Sequence, residues 1–337
     1  MKVFIRSAGF LTSVQDLGRT GYRQSGISSG GALDSHALRV ANALVGNEDS
    51  AAGLEVTLGK LRLHFDDQRI VGWCGGAFAV RVGEEDLPPG HAALVAKDEE
   101  LVMTAPPAGS RAWLAISGGI DVPPVLGSRS TDLRGNFGGF EGRTLRDGDV
   151  IPLGTTTHFR ERRFETADLP GQRLQIAAPW VSEWSAPAPW AATAPHQRIL
   201  RIVRGSNWDR FTLDAHTTLG TSPFTVTADS DRMGVRLDGP DLSRHDQSDL
   251  LSEAVTPGTL QVPPNGKPIL LLGDCQTIGG YPKIAHVITV DLPIAAQLWS
   301  GDRVRFQEVS LAEAQELLRE REEDFRRFRV GLNLHMA

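Results

Sequence analysis

One pattern of turns and short apolar runs occurs twice in this chain, and that repetition limits the folds open to it. Gly59, Leu61, Leu63, Ile70 and Val71 stand at one constant offset from Gly258, Leu260, Val262, Ile269 and Leu270. Farther on, Leu145-Arg-Asp-Gly148-Asp149 is echoed by Leu298-Trp-Ser-Gly301-Asp302. Each half therefore reads as a glycine turn, an alternating strand, an apolar strand, a glycine-rich loop and a closing Gly-Asp turn. Runs such as Leu61-Arg62-Leu63-His64-Phe65 and Phe78-Ala79-Val80-Arg81-Val82 alternate with period two and end at Gly, Pro or Asp. With 36 Gly and 20 Pro among 337 residues, turn-forming residues are abundant, which favours barrels over βαβ units. The expected fold is mainly β, a tandem pair of barrels with a few short helices.

Two helices are expected. Asp34 caps Ser35–Val45, with Gly46 as its stop. Ser310 and Glu313 form a capping box that opens a charged helix with Leu317, Leu318 and Phe325 on one side. Boundaries follow: a first barrel over 1–155, a connector over 156–198 containing the linker-like Ala186–Ala192, a second barrel over 199–310, and a helical tail over 311–337.

Composition excludes several functions. A formal charge of −6 offers no basic footprint for nucleic acid. No apolar stretch approaches the ~20 residues that span a membrane, and the N-terminus lacks a signal-peptide core. Two cysteines cannot build a disulfide framework, and free thiols suit a reducing cytoplasm, where this chain is expected. Cys74 and Cys275 fall near equivalent strand ends and are expected to be buried. The histidines show no metal-ligand spacing, so no metal is expected, and the absence of GxxxxGK[ST] removes a P-loop.

Chemistry concentrates in polar loops. In Gly273-Asp274-Cys275-Gln276-Thr277-Ile278-Gly279-Gly280-Tyr281-Pro282-Lys283, paired glycines can free backbone N–H groups. Pro282 restricts Tyr281, and Asp274 and Lys283 supply opposite charges. This inventory suits a carboxylate or oxyanion with an acid–base group beside it. Asp231-Arg232 offers a planar guanidinium for an anion, or an ion pair that buttresses a turn. Asp274, Lys283 and Arg232 are the candidate catalytic groups. Gln15, Asp16, Arg19, Ser117, Asp231, Gln276, Thr277, Gly279, Gly280 and Tyr281 are the candidate binding groups.

Together, TSVQDLGRTGYRQSGISSGGALDSHALRVANALVGN, LEVTLG, SDRMGVRLDGP, SEAVTPGTLQVPPNGKPILLLGDCQTIGGYPKIAHV and DLPIAAQLWSGDRVRF resemble the KipA family, also called allophanate hydrolase subunit 2. That family includes the C subunit of bacterial 5-oxoprolinase, and its module recurs in the carboxyltransferase part of urea carboxylase. The resemblance implies two cyclophilin-like barrels and a role within a larger enzyme, inactive alone. Its partners would be a KipI-like B subunit and a LamB/YcsF-like A subunit, converting 5-oxo-L-proline to L-glutamate with ATP held jointly with them. Two alternatives follow from the same family. One is a regulatory module that antagonises a KipI-like kinase inhibitor. The other is a carboxyltransferase component acting on urea or a related amide, although the chain has no biotin attachment site. Many relatives carry a hydroxyl residue where this chain has Ile278, which implies a different contact there.

Overall fold

The computed structural model describes residues 1–106, 110–156, 180–192, 198–246, 248 and 250–336. They form two compact units, one comprising Met1–Gly18, Asp34–Ala194 and Asp324–Ala337, the other Arg19–Leu33 and Pro195–Glu323.

The first unit holds two six-stranded sheets. One runs in the order Val150–Pro152, Lys2–Ala8, Lys60–Phe65, Leu101–Thr104, Ala79–Val82, Glu85–Asp86; the other runs Trp180–Ser185, His91–Val95, Arg69–Gly75, Arg111–Ile116, Gly53–Thr57, Leu11–Gln15. Alternation buries Val3, Ile5, Leu61 and Leu63 from one sheet against Leu54, Val56, Trp73 and Leu114 from the other. Helix Ser35–Val45 forms as its caps predict. Asp34 accepts from Ala37 N at 2.8 Å, and Gly46 takes φ 78°, which a residue with a side chain rarely adopts.

The second unit is a closed seven-stranded barrel. Its strands Ile199–Arg204, Lys283–Val287, Thr259–Gln261, Ile269–Leu271, Gly234–Asp238, Phe224–Val226 and Arg303–Glu308 close by parallel pairing of the first with the last. Leu200, Ile202, Val235, Leu260, Leu270 and Phe306 are buried.

The mainly β fold expected from sequence is the one found. The repeat is realised at its turns, since Gly59, Gly148, Gly258 and Gly301 all have positive φ. Strand neighbours differ between the copies. Lys60–Phe65 pairs with Lys2–Ala8 and Leu101–Thr104, whereas Thr259–Gln261 pairs with Ile269–Leu271 and Lys283–Val287. Turn chemistry is local and repeats readily, while strand pairing depends on distant segments.

Part of the expected connector forms regular structure among the described residues. Trp180–Ser185 pairs with His91–Val95, and Ala188–Ala191 is a short helix; residues 157–179 and 193–197 of that connector lie outside the described residues. The C-terminal helix spans Leu311–Met336, far from short, and opens with Ser310 Oγ accepting from Glu313 N at 3.1 Å. Its buried stripe is Phe325, Phe328 and Leu332, while Leu317 and Leu318 are only half-buried. Phe328 stacks on Trp184 at 5.4 Å, so aromatic packing in the first unit selects that stripe. Among the described residues no helix is long and apolar enough to cross a membrane.

Candidate active site

The barrel unit contains a cavity of about 600 Å³ whose lining includes Asp229, Asp231, Arg236, Gln261, Gln276 and Tyr281. Strand Gly234–Asp238 supplies Arg236 and Asp238, strand Thr259–Gln261 ends in Gln261, and the loop leaving strand Ile269–Leu271 brings Gln276 and Tyr281. Ile269, Leu271 and Met233 add apolar surface.

Hydrogen bonds fix the amides. Gln276 Nε2 donates to Gln261 Oε1 at 3.4 Å, and Gln261 Nε2 donates to the Tyr281 carbonyl at 3.1 Å. This relay orients both carboxamides, because only Nε2 can donate. Gly279 makes room for it. A Cβ there would lie 2.9 Å from Gln261 Nε2 and 3.3 Å from Gln276 Nε2, so any side chain would push the amides aside.

Charge around the cavity is mostly negative. Lys267 Nζ lies 3.0 Å from Asp241 and 3.1 Å from Asp238. The two carboxylates raise the lysine pKa, Asp241 foremost, and the bond from Lys267 lowers that of Asp238. Asp231 Oδ1 accepts from Met233 N at 2.8 Å and Gly234 N at 3.2 Å, holding the turn before the strand. The Arg236 guanidinium has no ion-pair partner among the described residues and is exposed. It is the cavity's unneutralised cation.

The three candidate catalytic groups do not line this cavity. Arg232 donates from Nε and Nη2 to Asp274 at 2.8 and 3.1 Å, and from Nη2 to the Gly31 carbonyl at 2.7 Å. Both partners are buried. Buried charges need partners, and here each is the other's. Lys283 Nζ, also buried, is bound by the Glu253 carboxylate. Arg232 and Asp274 thus hold segment Arg19–Leu33 on the barrel unit, with Gly30 N donating to Gly273 O at 3.2 Å. Gly30 has φ 59°, and a Cβ there would meet Arg19 Nη1 at 3.2 Å and Asp274 Oδ1 at 3.9 Å. Arg19 and Asp274 thus both approach Gly30, and Arg19 does not line the cavity.

Of the candidate binding groups, Asp231, Gln276 and Tyr281 line the cavity. Thr277 is buried, and its carbonyl accepts from Val255 N at 3.1 Å. Gly279 pairs with Glu253 in a two-stranded ribbon, and a Cβ on Gly280 would approach the Leu250 carbonyl at 3.3 Å. Ile278 lies on that ribbon, 60% exposed, and does not line the cavity.

The remaining three belong to the first unit and are structural in their contacts. Asp16 accepts from Ser128 Oγ at 2.6 Å, Ser130 Oγ at 2.5 Å, Arg129 N at 2.6 Å and Gly18 N at 2.8 Å. Gln15 Nε2 donates to Ser13 Oγ and the Thr131 carbonyl. Ser117 Oγ accepts from Ile70 N, and its carbonyl accepts from Arg69 Nη1. Polar loop residues that cluster in sequence suggest ligand binding, yet loops also need polar residues to satisfy their own backbone.

Both cysteines are buried, as expected. Burial raises the Cys74 thiol far above its ordinary value and pushes Cys275 up to about 11, against nucleophilic use of either. Sequence reasoning missed Gln261, Arg236 and Lys267. The available signal was an amide within Leu260-Gln261-Val262, an apolar run where a buried polar side chain needs a partner.

The chain is a carboxyltransferase-type module: residues 25–308 match the carboxyltransferase domain, subdomain A and B, and the chain belongs to that family. It is similar to the C subunit of 5-oxoprolinase from Escherichia coli, 38% identical over 91% of both chains. The corresponding 5-oxoprolinase C subunit of Haemophilus influenzae is 35% identical over 92% of both. The crystal structure of the Kluyveromyces lactis urea amidolyase superposes with a TM-score of 0.83 at 28% identity, covering 96% of this chain but only 19% of that one.

Proposed function

We propose that this chain is the C subunit of a 5-oxoprolinase assembly, acting in the cytoplasm with a KipI-like and a LamB/YcsF-like partner. The supporting observation is similarity: the chain is 38% and 35% identical to two proteins named as 5-oxoprolinase C subunits, against 28% for the urea amidolyase. Opening the lactam requires water to add at the carbonyl carbon, the C–N bond to break and the nitrogen to take a proton. Transfer of the ATP γ-phosphoryl to the lactam oxygen releases ADP and makes that carbon attackable; after water adds, the phosphorylated oxygen leaves as inorganic phosphate. The lactam fits a cavity of amides with one free guanidinium. In this reading ATP is held jointly with the partner proteins.

Reconstitution tests this. Glutamate is expected from 5-oxo-L-proline only when this chain, both partners and ATP are present; an unchanged rate without this chain refutes the assignment. The urea amidolyase likeness supports a second reading, carboxyl transfer to urea or another amide. That reading requires activity that avidin abolishes.

A further inference from the structure

The geometry points to Gln276 as the residue that reads the ligand's amide group, selecting amides whose C=O and N–H lie on the same side; this rests on the 5-oxoprolinase reading above. One Nε2 hydrogen of Gln276 is engaged by Gln261 Oε1, and the Tyr281 carbonyl fixes Gln261 in turn. The second Nε2 hydrogen and Oε1 remain, and no described residue donates to that oxygen. A carboxamide with these two atoms open can form a paired donor–acceptor contact with another amide.

Such a pair requires the ligand's carbonyl and N–H to be side by side. Ring closure forces this arrangement on a lactam, and urea has it by construction. A trans secondary amide, the ordinary peptide geometry, turns its N–H the opposite way. Urea and 5-oxoproline, the compounds for which the two kinds of relative are named, share this one group. They differ in that 5-oxoproline also carries a carboxylate. Arg236 is the cavity cation left without a carboxylate partner among the described residues, since Lys267 is held by Asp238 and Asp241. Gln276 therefore recognises the amide, and Arg236 distinguishes the acid-bearing lactam from a bare amide.

The test uses the full chain and four probes followed by ligand-observed NMR titration: 5-oxo-L-proline, 2-pyrrolidone, N-methyl-2-pyrrolidone and urea. The wild type is expected to bind 2-pyrrolidone saturably, and N-methyl-2-pyrrolidone, which lacks the N–H, at least about tenfold more weakly, the loss of one or two net hydrogen bonds. Gln276→Leu and Gln276→Glu should weaken 2-pyrrolidone, urea and 5-oxo-L-proline alike by about tenfold at an unchanged melting midpoint. Arg236→Ala should weaken 5-oxo-L-proline alone. Absence of saturable 2-pyrrolidone binding, equal binding of its N-methyl analogue, or wild-type binding by a folded Gln276→Leu chain overturns the role of Gln276. Equal loss of both lactams in Arg236→Ala overturns that of Arg236. If the probes bind through Gln276 but the reconstituted assembly yields no glutamate, the assembly reading has failed and the amide site stands.

Discussion

Removing Asp274 should destabilise the barrel unit far more than replacing the Arg232–Asp274 pair as a whole. Arg232 makes two hydrogen bonds to Asp274, at 2.8 and 3.1 Å, and one to the Gly31 carbonyl at 2.7 Å, all in buried surroundings. Asp274→Ala removes the carboxylate that compensates the buried guanidinium, and losing one partner of a buried pair costs about 3–5 kcal/mol. At roughly 2–4 °C per kcal/mol for a unit of this size, the melting midpoint should fall by about 6–20 °C. Arg232→Met with Asp274→Leu removes both charges together and should cost less than Asp274→Ala alone, because neither member of the pair is left without the other. Chemical denaturation of the wild type, both single variants and the double variant gives the coupling energy directly. Limited proteolysis should show cleavage in segment 19–33 when Arg232 is replaced, since Gly31 then loses its donor. A catalytic role predicts the reverse pattern: Asp274→Asn with wild-type stability and no activity in the reconstituted assembly. That result would refute the clamp argument.

Asp16→Ala removes a carboxylate that accepts four hydrogen bonds in the first unit, two from serine hydroxyls. Charge-assisted bonds contribute about 1.5–3 kcal/mol each at most, and with shared desolvation a total loss of roughly 3–5 kcal/mol is expected by urea denaturation. A loss below about 1 kcal/mol would show that the Ser128–Ser130 loop holds itself. Acid sensitivity should come in part from His286, whose pKa is lowered by burial first and by Lys283 second. A histidine depressed in the folded state adds stability above its unfolded value of ~6.5, and that stability is lost as pH falls below it. His286→Gln should flatten the stability–pH profile below that point; an unchanged slope removes His286 as the cause.

The sequence by itself determined the local features of this protein. Helix Ser35–Val45 starts at Asp34 and stops at Gly46 because a capping side chain and a left-handed glycine act within a few residues. The positive-φ turns at Gly59, Gly148, Gly258 and Gly301 and the alternating strands follow from the same short-range rules. Buried cysteines follow from the apolar runs beside them. Only the tertiary structure decided which polar groups meet. Gln261 ends one strand while Gln276 and Tyr281 lie on the loop between its two neighbours, and pairing of those strands brings them together. Sequence displays the charges of Asp274, Arg232 and Lys283 but not their partners. Folding buried each beside a counter-charge, and a buried charge is stable only there.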